Sequence, residues 1–357
     1  MDVTIRADAS DFVRGALRVD SSADGWARPW RFTAAQLAEV GGIAAWHPRL
    51  YRQMAACTSG ICLDFVTDSA HVALEAELDP LPSGSAAMVA DFVNNNPSAR
   101  PPFDGFSLVC GGRRLGGARV PADGGGLIFA LGFAPGKKRR ARIWLPCLAG
   151  CRLRGVYGDG TFIEPAPAAE GALLVLGDSI AQGFTACDPA LSWPALLAGE
   201  LGLELVNQGI GGQVFQPGSV ADAARAVSPS LIVVELGANY RFEPCRAEAV
   251  ERDARAYFSE VCRAWPGVPV LALTPLFHTE ALYPTHPQSC FADVARIVRE
   301  ATAPHGQVWL VEGDGILPSD PALLADGSDH PGPEGQRILC EQLKERISFL
   351  ARKTAGN

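Results

Sequence analysis

The chain has 357 residues, of which 48% are hydrophobic and 20% are charged, a composition typical of globular proteins with sizeable cores. This length allows two or three domains, and we expect two. The formal net charge of -8 argues against a nucleic-acid partner, since nucleic-acid-binding proteins normally carry a basic surface.

Neither an export signal nor a membrane segment is expected. Residues 1–8 have no basic stretch followed by an apolar one. No run approaches the roughly 18 consecutive apolar residues that a membrane span needs. The ten cysteines are scattered along the chain, which favours reduced thiols over a disulfide framework. We therefore expect a cytoplasmic protein with no membrane partner.

Two pairs of cysteines lie close in sequence, Cys57 with Cys62 and Cys147 with Cys151. Neither pair has the second pair or the histidines that would complete a zinc site. We interpret all four as buried free thiols. No metal and no cofactor are expected.

Residues 1–165 are predicted to form an all-β accessory domain. Short apolar runs recur between turn residues, and several alternate polar and apolar side chains, as half-buried antiparallel strands do. Many short strands joined by Gly- and Pro-rich turns indicate a β-sandwich or jelly roll. The predicted strands are 61–66, 71–76, 106–109, 127–131, 140–145 and 151–157, and the predicted loops are 78–84 and 94–102.

One basic run, residues 137–142, follows Pro135-Gly136 in this half. We interpret it as a solvated turn that leads into a strand, in preference to a phosphate-binding patch. The Pro- and Ala-rich stretch 164–171 then interrupts the β pattern. It is the best candidate for a linker between domains.

From residue 172 to 357, strands and helices alternate. Mostly apolar strands separated by helices predict an α/β domain with a parallel sheet covered on both faces. Ligands of such sheets bind at the carboxyl ends of the strands. The predicted strands are 172–176, 205–206, 231–236, 268–273 and 308–311, and the predicted helices are 192–201, 219–227, 246–264, 289–303 and 333–350.

The first of these strands is followed by Gly177-Asp178-Ser179-Ile180. A serine in a tight strand-to-helix turn can expose its hydroxyl near a helix N-terminus, which favours developing negative charge. Ser and Asp are also common helix caps, so the tripeptide by itself is compatible with a purely structural turn.

The second strand is followed by a glycine-rich loop, residues 207–213. Glycines let the backbone approach a substrate closely and point an N–H group at it. Gly209 and Gly211 also start a Gly-x-Gly, but Val214 stands where a dinucleotide-binding loop needs its third glycine. We therefore disfavour a dinucleotide site.

Two further polar residues follow in the same half. Asn239 comes just after the third strand, where its side-chain amide can donate a hydrogen bond into the same crevice. His330 stands directly before the last helix, and histidine is the usual general base for a serine hydroxyl. Each of the two could also be an ordinary turn residue.

Taken in order, these motifs resemble the signature of the SGNH/GDSL hydrolases, whose four residues map onto Ser179, Gly212, Asn239 and His330. The resemblance covers about residues 172–350. It implies a flavodoxin-like three-layer α/β domain. The fold of the classical α/β-hydrolases is not implied, since no Gly-x-Ser-x-Gly elbow occurs in the chain.

The resemblance also implies a carboxylic ester hydrolase. Ser179 would be the nucleophile and His330 the base. The oxyanion would be held by the backbone N–H groups of Ser179 and Gly212 and by the side-chain amide of Asn239.

The carboxylate behind the base departs from the family pattern, which usually places an aspartate three residues before the histidine. That position is Gly327, whereas Asp326 lies four residues before His330 and Asp329 directly before it. We favour Asp326, because a one-residue insertion lets it curl back and adjacent residues rarely turn their side chains together. Asp329, or a backbone carbonyl in a Ser–His dyad, stays an open alternative.

A β-sandwich ahead of such a domain resembles two-domain bacterial carbohydrate acetylesterases, including carbohydrate esterase family 2. The runs 63–69 and 105–109 look like strands of those N-terminal domains. The implied substrate is a short-chain, above all acetyl, ester of a carbohydrate or a small acylated metabolite. The alternatives are an arylesterase, thioesterase or acyltransferase on the same site, or an inactive carbohydrate-binding protein. The oligomeric state is open, a homo-oligomer included.

A functional role has weaker support for the remaining candidate residues. His278 and His286 could form a metal site with Cys290, but no tight ligand spacing supports it, and we interpret the histidines as substrate-loop residues. Trp193 is interpreted as a packing residue at a helix start in preference to a sugar platform.

Overall fold

The described residues of the computed structural model form three β-sheets, two antiparallel and one parallel. The antiparallel sheets precede the parallel one in the chain, which confirms the predicted order of an all-β region followed by an α/β region. The structure describes residues 2–41, 48–82, 86, 89–90, 104–120, 126–220, 222–241, 246–279 and 288–355.

The two antiparallel sheets pack face to face as a sandwich. Their shared core takes side chains from both sheets, for example Leu63 and Phe65 from one and Val72 and Leu74 from the other. The sandwich strands are β1 Ile5–Asp8, β2 Val13–Arg14, β3 Arg18–Ser21, β4 Ala27–Trp30, β5 Cys62–Thr67, β6 His71–Leu78, β7 Phe106–Cys110, β8 Arg113–Ala118, β9 Leu127–Ala130, β10 Arg139–Trp144, β11 Cys151–Gly158 and β12 Ile163–Pro165. One sheet has the order β3-β4-β11-β6-β9 with β1 on β11, and the other has the order β12-β5-β10-β7-β8 with β2 on β5.

The six strands predicted in this half are all present, displaced by at most about two residues at their ends. The basic run leads through a turn into β10, where Arg140 and Arg142 both pair with the buried Asp64. The sequence analysis predicts neither the short strands β1 to β4 nor two helices before residue 60, α1 Ala34–Glu39 and α2 Pro48–Ala55. The predicted loop 94–102 lies outside the described residues.

The proposed linker begins in strand structure, because Glu164 and Pro165 pair with β5. Among the described residues, every strand of the antiparallel sheets lies before residue 166 and the parallel sheet begins at Ala172. The division into separate domains, 1–165 and 172–357, stays a prediction.

The parallel sheet has five strands in the order β14-β13-β15-β16-β17. Helices cover both of its faces because successive residues of a strand point to opposite sides. Leu173 and Val175 pack in one core with the helices on one face, whereas Leu174 and Leu176 pack in a second core with the helices on the other. The strands are β13 Ala172–Gly177, β14 Glu204–Gly209, β15 Pro229–Glu235, β16 Val270–Leu273 and β17 Val308–Val311, and the helices are α3 Ser179–Gln182, α4 Trp193–Leu201, α5 Ala247–Ala264, α6 Gln288–Thr302 and α7 Pro333–Ala355.

The three-layer architecture expected from the resemblance is therefore confirmed, and one predicted helix is wrong. Segment 219–227 contains only a single 3-10 turn, Ala223–Arg225, among its described residues. Its alanines favour a helix, but Val220 and Ala223 are drawn into the core and Asp222 adopts a left-handed backbone conformation, φ 62°. Tertiary packing here overrides a weak local preference.

A fully buried arginine joins the two halves of the chain. Nη1 of Arg31 donates to the carbonyls of Asn207 at 2.9 Å and Gly209 at 2.7 Å, both at the end of β14. Its Nε and Nη2 donate to the carbonyls of Cys57 at 2.7 Å and Met54 at 2.8 Å. Burial lowers the pKa of Arg31 to about 10, so the side chain stays charged at neutral pH. Four carbonyl dipoles thus compensate a buried cation directly behind the glycine-rich loop.

Among the described residues, no helix combines the length and the apolar character that crossing a lipid bilayer requires.

Candidate active site

The site lies at the carboxyl ends of β13, β14 and β15, as parallel sheets of this kind place their ligands. Ser179 is the first residue of α3 and follows β13 after a single residue. That residue, Asp178, caps the helix by accepting the N–H of Ile180 at 3.0 Å. The short helix therefore holds Ser179 in a fixed orientation at the edge of the sheet.

The structure brings Ser179 and His330 into direct contact. Oγ of Ser179 lies 2.8 Å from Nε2 of His330, and each residue is 6% exposed. The Phe184 ring packs against the imidazole in a T-shaped arrangement, with ring centroids 4.9 Å apart. A hydroxyl and an imidazole nitrogen at this distance can exchange a proton.

Two carboxylates lie behind the imidazole. Oδ2 of Asp326 accepts the Nδ1–H of His330 at 2.5 Å, and Oδ1 of Asp329 lies 3.0 Å from the same nitrogen. Of the two, only Asp326 forms a hydrogen bond with this nitrogen, whereas Oδ1 of Asp329 has no hydrogen-bond partner among the described residues. Oδ2 of Asp329 lies 3.6 Å from Nη1 of Arg241. The arrangement favours Asp326 as the residue that orients the base.

The carboxylates determine the charge of the base. Burial would lower the pKa of His330, but Asp329 and Asp326 outweigh burial and raise that pKa well above its ordinary value. Burial likewise opposes ionisation of Asp326, but the imidazole and backbone N–H groups hold its pKa well below the ordinary range. Both shifts favour a proton on the imidazole and a negative charge on Asp326.

The glycine-rich loop presents one backbone donor to this site. The N–H of Gly211 donates to Oε1 of Gln182 at 2.7 Å, and the N–H of Gln213 donates to the carbonyl of Ile210 at 3.0 Å. No described residue accepts the N–H of Gly212, which lies between them and is partly exposed. Gly212 can therefore donate to a ligand without first breaking an internal hydrogen bond.

Asn239 reaches the same site but is already engaged. Its Nδ2 donates to Oδ2 of Asp178 at 3.1 Å and to the carbonyl of Gln213 at 3.0 Å. An amide nitrogen carries two hydrogens, so both are used. Asn239 links the serine turn to the glycine-rich loop, and it can serve a ligand only by sharing or exchanging one of these acceptors.

Sequence reasoning did not find the buried carboxyl pair below the serine. Glu235 is the last residue of β15 and lies opposite Gly177 in the neighbouring strand. Its carboxyl is buried beside that of Asp178. Burial raises the pKa of Asp178 to about 7 and that of Glu235 well above its ordinary value. The signal in the sequence is Glu235 itself, an acidic residue at the end of a mostly apolar strand.

The remaining candidates are a core tryptophan, a loop histidine and residues outside the described part of the chain. Trp193 is 1% exposed and packs in the core, as predicted. The ring of His278 packs against Phe291, and burial lowers the pKa of His278. The residues proposed with His278 for a metal site, His286 and the side chain of Cys290, lie outside the described part.

The four cysteines that lie close in sequence, Cys57 with Cys62 and Cys147 with Cys151, are buried free thiols, as predicted. Burial raises the pKa of Cys57, Cys62 and Cys151 to about 12. In the described part of the chain, only Asp326, Asp329 and His330 have ligand atoms close enough to share a metal ion, within 4.8 Å of one another. Nδ1 of His330 already donates to Asp326, so the cluster is arranged for proton transfer.

Residues 175–338 match the model of the GDSL-like Lipase/Acylhydrolase family. The α/β half is a GDSL-like acylhydrolase domain. The predicted resemblance and the predicted enzyme class, a carboxylic ester hydrolase, are confirmed. The matched segment contains Ser179, Gly212, Asn239 and His330. No curated protein matches this acylhydrolase in sequence.

Solved structures resemble the acylhydrolase over both halves of the chain. The salicylyl-acyltransferase SsfX3 from a tetracycline biosynthetic pathway has 20% identity and a TM-score of 0.74, with 97% of each chain covered. A putative GDSL-like lipase from Bacteroides ovatus has 15% identity and a TM-score of 0.71, with 98% of each chain covered. The acetyl xylan esterase Est2A from Butyrivibrio proteoclasticus has 12% identity and a TM-score of 0.61, with 99% covered. At these identities the likeness shows the fold alone.

Proposed function

We propose that the acylhydrolase is a serine esterase that removes a short acyl group, above all acetyl, from a carbohydrate or a small acylated metabolite through an acyl-enzyme. The observation that carries this proposal is the 2.8 Å contact between Oγ of Ser179 and Nε2 of His330. Asp326 behind the imidazole completes the order nucleophile, base and orienting carboxylate.

Acylation begins when neutral His330 takes the hydroxyl proton of Ser179 onto Nε2. Oγ then bonds to the ester carbonyl carbon, and the carbonyl oxygen becomes an oxyanion. The N–H groups of Ser179 and Gly212 stabilise that charge, since Ser179 opens a helix and its N–H has no acceptor within the helix. The bond from carbon to the alcohol oxygen breaks, and the proton on Nε2 passes to the departing alcohol.

Deacylation repeats these steps with water. His330 takes a proton from the water, whose oxygen bonds to the acyl carbon and forms a second oxyanion. The bond from carbon to Oγ of Ser179 breaks, the serine recovers its proton from Nε2, and the carboxylic acid leaves. Asn239 contributes the third oxyanion donor. One of its amide hydrogens leaves the carbonyl of Gln213 and donates to the oxyanion instead.

The proposed substrate class is supported by the descriptions of solved structures that share this fold. Several neighbours with the same two-part architecture are described as carbohydrate esterases of family 2 or as an acetyl xylan esterase. The sandwich that precedes the acylhydrolase domain here corresponds to a region present in those proteins. We therefore place acetylated carbohydrates first among the substrates.

A second candidate is acyl transfer to an alcohol other than water. It is favoured by the likeness, over 97% of both chains, to a protein described as a salicylyl-acyltransferase. Both reactions share the acyl-enzyme and differ only in the acceptor of the second step. Product analysis with added alcohol acceptors separates them, because transfer yields a new ester and hydrolysis yields the free acid.

Fluorophosphonate labelling tests the nucleophile directly. Wild-type protein should be labelled on Ser179, located by mass spectrometry of peptides, and should hydrolyse p-nitrophenyl acetate faster than longer acyl esters. Ser179→Ala should lose both properties, while Ser230→Ala, which changes an exposed serine on β15, should lose neither. Undiminished turnover by Ser179→Ala would refute the proposal. Acetylated xylooligosaccharides, assayed by acetate release, test the alcohol side.

A further inference from the structure

A tyrosine from the N-terminal half lies against the glycine-rich loop. Tyr51, on α2, is 1% exposed, and its hydroxyl donates to the carbonyl oxygen of Gly212 at 2.6 Å. A Cβ atom on Gly212 would lie only 3.1 Å from the tyrosine ring. The ring therefore packs directly on the α carbon of the glycine while the hydroxyl holds its carbonyl.

The glycine needs such a restraint. Gly212 has a φ of 80°, in the left-handed region, and a glycine can rotate the peptide planes on either side at little cost. The N–H of Gln213 lies in the same peptide plane as the carbonyl of Gly212 and donates to the carbonyl of Ile210, so the tyrosine hydroxyl is a second anchor of that plane. Of the described residues, Tyr51 is the one that donates to this carbonyl.

We propose that Tyr51 is a positioning residue for the ester hydrolysis. Its ring packs on the α carbon of Gly212 and its hydroxyl helps to fix the peptide between Gly212 and Gln213, so that the preceding peptide, which carries the N–H of Gly212, keeps its direction toward the oxyanion. Oxyanion donors are effective because they are aligned before the charge develops, and a donor on a mobile glycine loses that advantage. This inference rests on the proposed function, in which Gly212 is a donor.

The N-terminal half supports the tyrosine as a rigid unit. Tyr51 packs in a cluster with Phe32, Val40 and Met54 and with Ile210 of the glycine-rich loop itself. The carbonyl of Met54, one turn along α2, accepts a hydrogen bond from the buried Arg31. In this proposal the N-terminal half contributes to catalysis through Tyr51, in addition to any role in binding the alcohol part of a substrate.

Tyr51→Phe tests the proposal because it removes only the hydroxyl. We expect kcat to fall by about 3- to 10-fold, the equivalent of one hydrogen bond between neutral groups, with KM unchanged. Affinity for a boronic acid that mimics the tetrahedral intermediate should weaken by the same factor. The matched control is Tyr157→Phe, which removes a hydroxyl bonded to Glu75 on the outer face of the sandwich and should behave as wild type.

A second readout is independent of the fraction of folded enzyme. A thionoester places sulfur where the oxyanion forms, and sulfur gains less from aligned N–H donors. The ratio of kcat/KM for p-nitrophenyl acetate over its thiono analogue should therefore fall in Tyr51→Phe and stay constant in Tyr157→Phe. A kcat and a ratio equal to wild type, or a change confined to KM, would overturn the assignment of Tyr51.

Failure of this inference differs from failure of the proposed function. If Ser179→Ala is inactive while Tyr51→Phe has wild-type kinetics and ratio, only the positioning role is wrong. If Ser179→Ala keeps full turnover, the proposed function is wrong, and Tyr51 loses its role with it.

Discussion

Oδ2 of Asp326 lies 2.5 Å from Nδ1 of His330, although the two residues are four positions apart, one more than the family spacing. The other carboxylate oxygen accepts the N–H groups of Ser328, Asp329 and His330 at 2.9 to 3.1 Å. Gly327 adopts a φ of 67° at the start of this turn. The inserted residue is thus absorbed by a tight turn wrapped around the carboxylate, and the contact with the imidazole is kept.

Exchanging each aspartate for asparagine separates the two candidates behind the base. Asp326→Asn should lower kcat by up to about 10⁴-fold, because the carboxylate selects the imidazole tautomer that can accept the serine proton. Asp329→Asn should lower kcat by less than about tenfold at pH 8, since it removes only a nearby charge. Steady-state kinetics with p-nitrophenyl acetate measure both, and equal losses in the two variants would contradict the assignment.

Activity should rise with pH. His330 must be neutral to accept the serine proton, and Asp329 and Asp326 raise its pKa well above 6.5. The acid limb of kcat/KM should therefore have an apparent pKa above that value. Asp329→Asn removes a negative charge that favours the imidazolium, so its limb should move to lower pH. A limb that stays in place, or moves upward, would show that another group controls it.

Asn239→Ala should reduce kcat on the order of 10²-fold, as expected for loss of one oxyanion donor. KM should change little, because the donor acts mainly on the charge of the transition state. The variant also loses the hydrogen bonds to Asp178 and Gln213, so circular dichroism must show that it is folded at the assay temperature. A loss of only a fewfold would restrict Asn239 to linking the serine turn and the loop.

The buried pair of Asp178 and Glu235 should make stability depend on pH. Both pKa values are raised, so the folded state keeps protons that the unfolded chain releases above about pH 4, and stability falls as pH rises from there toward 7. Glu235→Gln removes one of these groups and should flatten that decline in thermal unfolding. Glu345→Gln, an exposed change on α7, should keep the wild-type slope. Parallel slopes for all three proteins would contradict the coupling.

Much of the architecture was readable from local patterns. Continuous apolar runs such as Leu173 to Leu176 mark strands buried on both faces, and the 3.6-residue periodicity of residues 247–264 marks a surface helix. Segment 219–227 favours a helix in isolation because of its alanines, whereas the packing of Val220 and Ala223 in the core decides its form. Of the short strands before residue 60, β1 and β2 pair with strands distant in sequence, whereas β3 and β4 pair with each other and have little apolar pattern to reveal them.

The sequence by itself determined the order of the sheets and the candidates Ser179, Gly212, Asn239 and His330, since each stands at a strand end or helix start that local chemistry reveals. Only the tertiary structure decided which of these atoms meet. The choice between Asp326 and Asp329 depends on a turn. The engagement of both Asn239 hydrogens depends on acceptors from two different loops. The contact of Tyr51 with Gly212 joins residues that are 161 positions apart. Hydrogen bonds are directional and short, so such contacts follow from the packed fold and leave no periodic trace in the chain.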